Sequence, residues 1–141
     1  MNWFECKVKY DKEQDNGSLK SVTELYLLDA MSYTEAESRI IEEMNPAGNA
    51  DFSIVDISRR KYYEVIPEER GGKFFKVRIE LIAFDDRTGT EKKTSVNSIV
   101  QGKVVMDVLN SVNGVMKNSM SDYDIHSITR TAIQDLFLFK E

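Results

Sequence analysis

The sequence predicts an α+β domain of two pseudo-twofold-related ββαβ repeats, with an antiparallel sheet or sheets and two packed helices. Three observations predict it. One phrase occurs twice: DFSIVDISRRKYYEVI at 51–66 and DYDIHSITRTAIQDLF at 122–137 align without a gap and share Asp51/Asp122, Ile54/Ile125, Ile57/Ile128 and Arg59/Arg130. The likeness also extends beyond the phrase. The same offset of 71 carries Trp3 and Phe4 onto Phe74 and Phe75, and an offset of 72 carries Gly17, Ala36, Ile40 and Met44 onto Gly89, Val108, Val112 and Met116. Finally, both copies show the same succession of hydrophobic periods, which marks a duplicated half-domain, since two copies are too few for a solenoid. The copies are residues 1–66 and 73–137, joined by a linker at 67–72, in a single domain of 141 residues.

Each copy opens on a strand. Phe4, Cys6, Val8 and Tyr10 alternate with Glu5, Lys7 and Lys9, and Phe75, Val77, Ile79, Leu81 and Ala83 repeat that period of two. DKEQDNGS and DDRTGT follow, with Asn-Gly and Thr-Gly supplying positive φ for hairpins. Return strands are expected at about Val22–Leu28 and Thr94–Val100. The first helix is read from Thr34, with Glu37 three residues on as a capping box, and Asn45-Pro46 as its stop. Its apolar stripe is Ala36, Ile40, Ile41 and Met44; the second helix, about Lys103–Ser119, carries Val105, Val108, Leu109, Val112 and Met116. The repeated phrase then supplies each copy's closing strand. Its isoleucines lie three apart, which an unbroken strand would place on opposite faces, so the same bulge or bend is expected in both copies. That bend would let the strand serve its own sheet and then cross toward the other half.

Composition narrows the function. The chain is 41% hydrophobic and 30% charged with a net charge of −5, ordinary for a globular protein and acidic for a general nucleic-acid coat. No apolar run is long enough to span a bilayer, and charge interrupts the N-terminal segment by Glu5, so a cytoplasmic protein without a membrane partner is expected. Cys6 is the only cysteine, which excludes an internal disulfide and a multi-cysteine zinc site; its setting reads as a buried, inert thiol. His126 is the only histidine, at the position of Val55, and reads as a structural residue pointing inward or at a seam. ERGGK at 69–73 lacks the spacing of a phosphate loop. Asp85 and Asp86 are ordinary turn aspartates, and Glu35, Glu37, Glu42 and Glu43 make a solvated helix face. No catalytic set, metal site or cofactor is expected.

One constellation suggests binding. The outer face of the first strand carries Trp3, Glu5, Lys7 and Lys9, and that of its copy Phe74, Lys76, Arg78 and Glu80. Arg59, Arg60 and Lys61 precede Tyr62 and Tyr63 as a second basic-aromatic cluster. Aromatic rings that stack bases beside cations that meet phosphates form a single-strand platform. The competing reading is a plain polar outer face, with Trp3 and Phe74 covering a sheet edge.

The stretches MNWFECKVKYDK, VTELYLLDAMSYTEAESRIIEEM and MSDYDIHSITRTAIQDLF resemble an uncharacterised domain family of gut anaerobes, their mobile elements and phages. The resemblance covers nearly the whole chain and implies a small cytoplasmic protein of a phage or integrated element; it implies no site residues. The expected function is a non-enzymatic binding module of phage or mobile-element DNA metabolism that contacts single-stranded nucleic acid. The alternatives are a small-ligand binder that sequesters nucleotide signals in a pocket at the seam of the halves, and a structural or homo-oligomerising protein.

Overall fold

The computed structural model describes residues 1–45, 51–119 and 121–140. The order of elements is β1 (Asn2–Glu13), β2 (Leu19–Ala30), α1 (Tyr33–Met44), β3 (Phe52–Arg60), β4 (Val65–Ile66), β5 (Lys73–Asp85), β6 (Thr90–Gly102), α2 (Val105–Met116), β7 (Asp122–Arg130) and β8 (Ile133–Phe137). Two four-stranded sheets form, in the orders β3-β1-β2-β8 and β4-β6-β5-β7. The hairpins turn where expected, with Gly17 at φ 82° and Gly89 at φ 67°, values that favour glycine.

The compact units are not the two sequence copies. The first unit is Met1–Lys61 with Ala132–Glu141, and the second is Tyr62–Thr131. Each copy gives its last strand away: β4, from the end of copy one, lies in the sheet of the second unit, and β8, from the end of copy two, lies in that of the first. The registers are equivalent. Leu136 and Phe137 pair with Leu27 and Leu28, while Val65 and Ile66 pair with Ile99 and Val100. Both exchanged strands run parallel to their neighbour, so each sheet is mixed rather than purely antiparallel. A strand that arrives without a hairpin has no turn to impose the antiparallel direction.

Matching bonds hold the ends of the exchanged strands. Asp29 Oδ1 accepts the Phe139 N–H at 2.7 Å, and Gln101 Oε1, its repeat equivalent, accepts the Glu68 N–H at 3.0 Å. The first unit adds Arg39, whose guanidinium sits 3.3 Å from Asp29, donates to the Phe137 carbonyl at 3.1 Å and lies 5.6 Å from the centre of the Phe139 ring.

The repeated phrase does contain a bulge in each copy. Lys7 pairs with Asp56 and Val8 with Ile54, which leaves Val55 out of the ladder; Arg78 pairs with Ser127 and Ile79 with Ile125, which leaves His126 out. This lets Ile54 and Ile57, and likewise Ile125 and Ile128, pack on the same helix-facing core despite their spacing. The bulge does not carry the crossing, however. The chain passes between units only after Arg60 and after Arg130, beyond the ends of β3 and β7.

Each helix covers one face of its sheet. Phe4, Cys6, Val8, Tyr26, Leu28, Ala36 and Ile40 form one core, and Phe75, Val77, Ile79, Val100, Val108, Val112 and Met116 the other. Of the residues expected inside, Met44, Ile54 and Ile125 are half-buried but pack against these clusters. The α1 cap differs from expectation. Ser32, not Thr34, is the N-cap: its hydroxyl accepts the Glu35 N–H at 3.2 Å while the Glu35 carboxylate accepts that of Met31 at 3.0 Å. Helix α1 ends at Met44; Pro46, read as its stop, lies outside the described residues. Helix α2 is shorter than expected, because the Asp107 carboxylate accepts the N–H groups of Lys103 and Val104 and leaves them before the first turn.

Candidate binding groove

In the first unit a concavity of about 780 Å³ lies between α1 and the edge strand β3. Tyr33, Thr34, Glu37 and Ile41 line it from the helix, and Phe52, Ile54, Val55, Asp56 and Ile57 from the strand. The bulge builds its floor: freed from the ladder, Val55 is 55% exposed, a costly position for a β-branched apolar side chain. Tyr33 is exposed too, yet its ring is steadied edge-on against buried Phe4 at 4.9 Å. Among the described lining residues the charged ones are Glu37 and Asp56, the latter's carboxylate accepting the Ser58 hydroxyl at 2.7 Å. An anion would therefore be repelled, whereas an apolar group carrying a cation would be accepted.

In the second unit a side-chain bond spans the same place. Tyr123 donates its hydroxyl to Asn113 Oδ1 at 2.7 Å, joining β7 to α2. The repeat equivalents of this pair are Phe52 and Ile41, which cannot form the bond and instead line the open groove. The bulged residue also differs. His126 points outward, 53% exposed with Nδ1 3.8 Å from Glu80, rather than inward or at a seam as its place in the repeat suggested; the bulge turns it off the core face.

A family model described as a domain of unknown function, DUF4494, matches residues 2–139. The chain belongs to the DUF4494 family. No curated protein and no solved structure matches it.

In this DUF4494 chain the strand-face residues are scattered in their chemistry. Lys7, Lys9, Lys76 and Arg78 are exposed on the faces turned away from the helices. Trp3 is half-buried. Phe74 is 2% exposed, so its ring has no face open to a base, and it leaves the platform the sequence suggested. Arg60 pairs with Glu5, Arg59 donates to Asn2 at 2.6 Å, Arg78 donates to Ser95 at 3.2 Å, and Lys7 faces Asp56 across the ladder. Lys61 ends the first unit, exposed and just beyond β3, so it shares no strand face with Lys7 and Lys9.

Sequence reading missed a polar cluster in the first unit. Tyr10 and Tyr26 donate their hydroxyls to the two oxygens of Glu24, each at 2.6 Å. Burial pulls the Glu24 pKa upward, but these bonds, with nearby Lys12, outweigh it and hold the carboxyl below its usual range. Burial first, then Glu24, pushes the Tyr26 hydroxyl well up. The equivalent positions of the second unit are Leu81, Val96 and Ser98. Cys6 is fully buried and burial raises its thiol to about 11, which suits an inert side chain. Among the described residues no group of His, Cys, Asp and Glu is placed to hold a metal, and no helix is long and apolar enough to cross a membrane.

Proposed function

We propose that the protein is a non-enzymatic binding module whose working surface is the groove between α1 and β3. One observation carries the reading: a duplicated groove is left open, apolar and acid-lined in the first unit, while in the second the Tyr123–Asn113 bond spans it. The volume suits a ligand pocket. Its chemistry suits a protein segment with apolar side chains beside a lysine or arginine, and opposes the phosphates of a nucleotide. In the setting that the sequence resemblance implies, the cytoplasm of a gut anaerobe carrying a phage or mobile element, such a module would act through protein contacts.

Selection from a random peptide library tests this. Peptides pairing apolar residues with a cation are expected to be enriched on the wild-type protein and lost on the double variant Ile41→Asn/Phe52→Tyr, which copies the bonded arrangement. Equal enrichment on both proteins, or none, would overturn the reading.

A second reading places single-stranded nucleic acid on the outer strand faces. It is supported by the exposure of Lys7, Lys9, Lys76 and Arg78 on those faces. Lys7→Ala is then expected to lower the salt slope of oligonucleotide binding by about one counterion, and Trp3→Ala to weaken binding by ~1–3 kcal/mol at fixed salt. Absence of salt-dependent binding at low ionic strength would remove this reading.

A further inference from the structure

The second unit carries on its surface what the groove of the first would take. Between the end of β6 and the first turn of α2 stand Lys103, Val104, Val105 and Met106, all exposed, the three apolar ones at 56%, 52% and 61%. Three successive large apolar side chains in water are a contact surface without an occupant among the described residues. The equivalent positions of the first unit are Met31, Ser32, Tyr33 and Thr34, where exposed Met31 and Tyr33 are separated by a serine, so the unbroken apolar run and its preceding lysine are particular to the second unit.

This corner is also held in shape. The Asp107 carboxylate accepts the N–H groups of Lys103 and Val104 at 3.3 Å each, which fixes the backbone of the corner. Gly102, directly before it, lies so close to α2 that an added Cβ would sit 3.1 Å from Val108 and 3.2 Å from Asp107. A corner already ordered pays little entropy when it docks.

We infer that the groove of one copy takes the Lys103–Met106 corner of a second copy. The inference rests on the groove reading above and names the occupant. Val104, Val105 and Met106 would cover Ile41, Phe52 and Val55, and Lys103 would meet Glu37. Groove and corner belong to different units of the chain, so a contact made in one direction leaves each copy a free groove and a free corner and continues into a ring or a filament, while one made in both directions closes a dimer.

Sedimentation velocity of the full chain over a concentration series tests this. Wild-type protein is expected to form oligomers whose share rises with concentration. Val105→Glu, which spoils the corner, and Glu37→Lys, which spoils the groove, should each weaken association about tenfold or more. Both positions are exposed, and circular dichroism confirms folding of each variant. The deciding measurement mixes Val105→Glu with Ile41→Asn/Phe52→Tyr. The first retains a sound groove and the second a sound corner, so the mixture should give a 1:1 pair and nothing larger. A wild-type chain that stays monomeric throughout overturns the proposal, as does a dimer that Val105→Glu dissolves and groove variants leave intact. If the peptide library still enriches groove ligands while the chain is monomeric, self-assembly fails and the groove reading stands.

Discussion

The two units share one plan and differ in what they leave unsatisfied. Both have a bulged edge strand, a twelve-residue helix and a borrowed parallel strand. In the second, Tyr123 and Asn113 span the space between helix and edge, while the corner before α2 stays apolar and exposed. In the first, Phe52 and Ile41 leave that space open, while polar side chains gather on the opposite parts of the sheet: Tyr10, Glu24 and Tyr26, and Arg39 with Asp29. The two copies keep some bonds in common and diverge elsewhere. The paired bonds of Asp29 and Gln101 to the borrowed strands are the first kind, and the groove is the second.

The comparison breaks most forcefully at the cores. Ile40→Ala in the first unit should cost about 2–5 kcal/mol through lost burial and the cavity left behind; Val112→Ala, its counterpart in the second, should cost ~1–3 kcal/mol. Because each unit contains a strand of the other copy, either variant should shift a single unfolding transition rather than one of two. Separate transitions for the two units in urea would show that the borrowed strands do not couple them.

A smaller effect is expected from the clasp that only the first unit possesses. Arg39→Ala removes an ion pair to Asp29, a bond to the Phe137 carbonyl and a ring contact with Phe139, all near the surface of the core. A loss of about 2 kcal/mol is expected, with faster amide exchange in β8 and none in β4. The equivalent position in the second unit is Ser111, and Ser111→Ala should leave β4 exchange unchanged.

The smallest effect distinguishes the polar cluster from its apolar counterpart. Glu24 has a folded pKa below its value of 4.5 in an unstructured chain, so it stabilises the fold above that value and loses the contribution as pH falls through the folded pKa. Glu24→Gln should cost about 1 kcal/mol at neutral pH and flatten the loss of stability below about pH 4.5. If the acid limb is as steep in the variant as in wild type, other carboxylates carry it.

Much of this was legible in the residues. The repeat, the hairpins, both helices and the bulge follow from matched positions such as Ile54/Ile125 and Gly17/Gly89, because periodicity and turn chemistry are local. The exchange is half legible: a crossing is expected from the bend, but its place after Arg60, and the parallel direction of β4 and β8, depend on long-range pairing that strands of two and five residues cannot announce. Phe74 misled because alternation assigns it to an outer face, and alternation cannot say what covers that face. The groove is not legible at positions where the copies agree. Its signal lay in mismatches, Ile41 against Asn113 and Phe52 against Tyr123, each of which trades a bond for an apolar surface.

The exchanged strands also set the order in which a growing chain can finish its parts. A chain made from its N-terminus has every strand of the second unit once residue 131 has emerged, although that unit starts only at Tyr62. The first unit, synthesised earlier, must wait with one edge of β2 bare until β8 arrives. What is made first is therefore completed last, and during that interval the borrowed β4 has already tethered the unfinished half to a finished one.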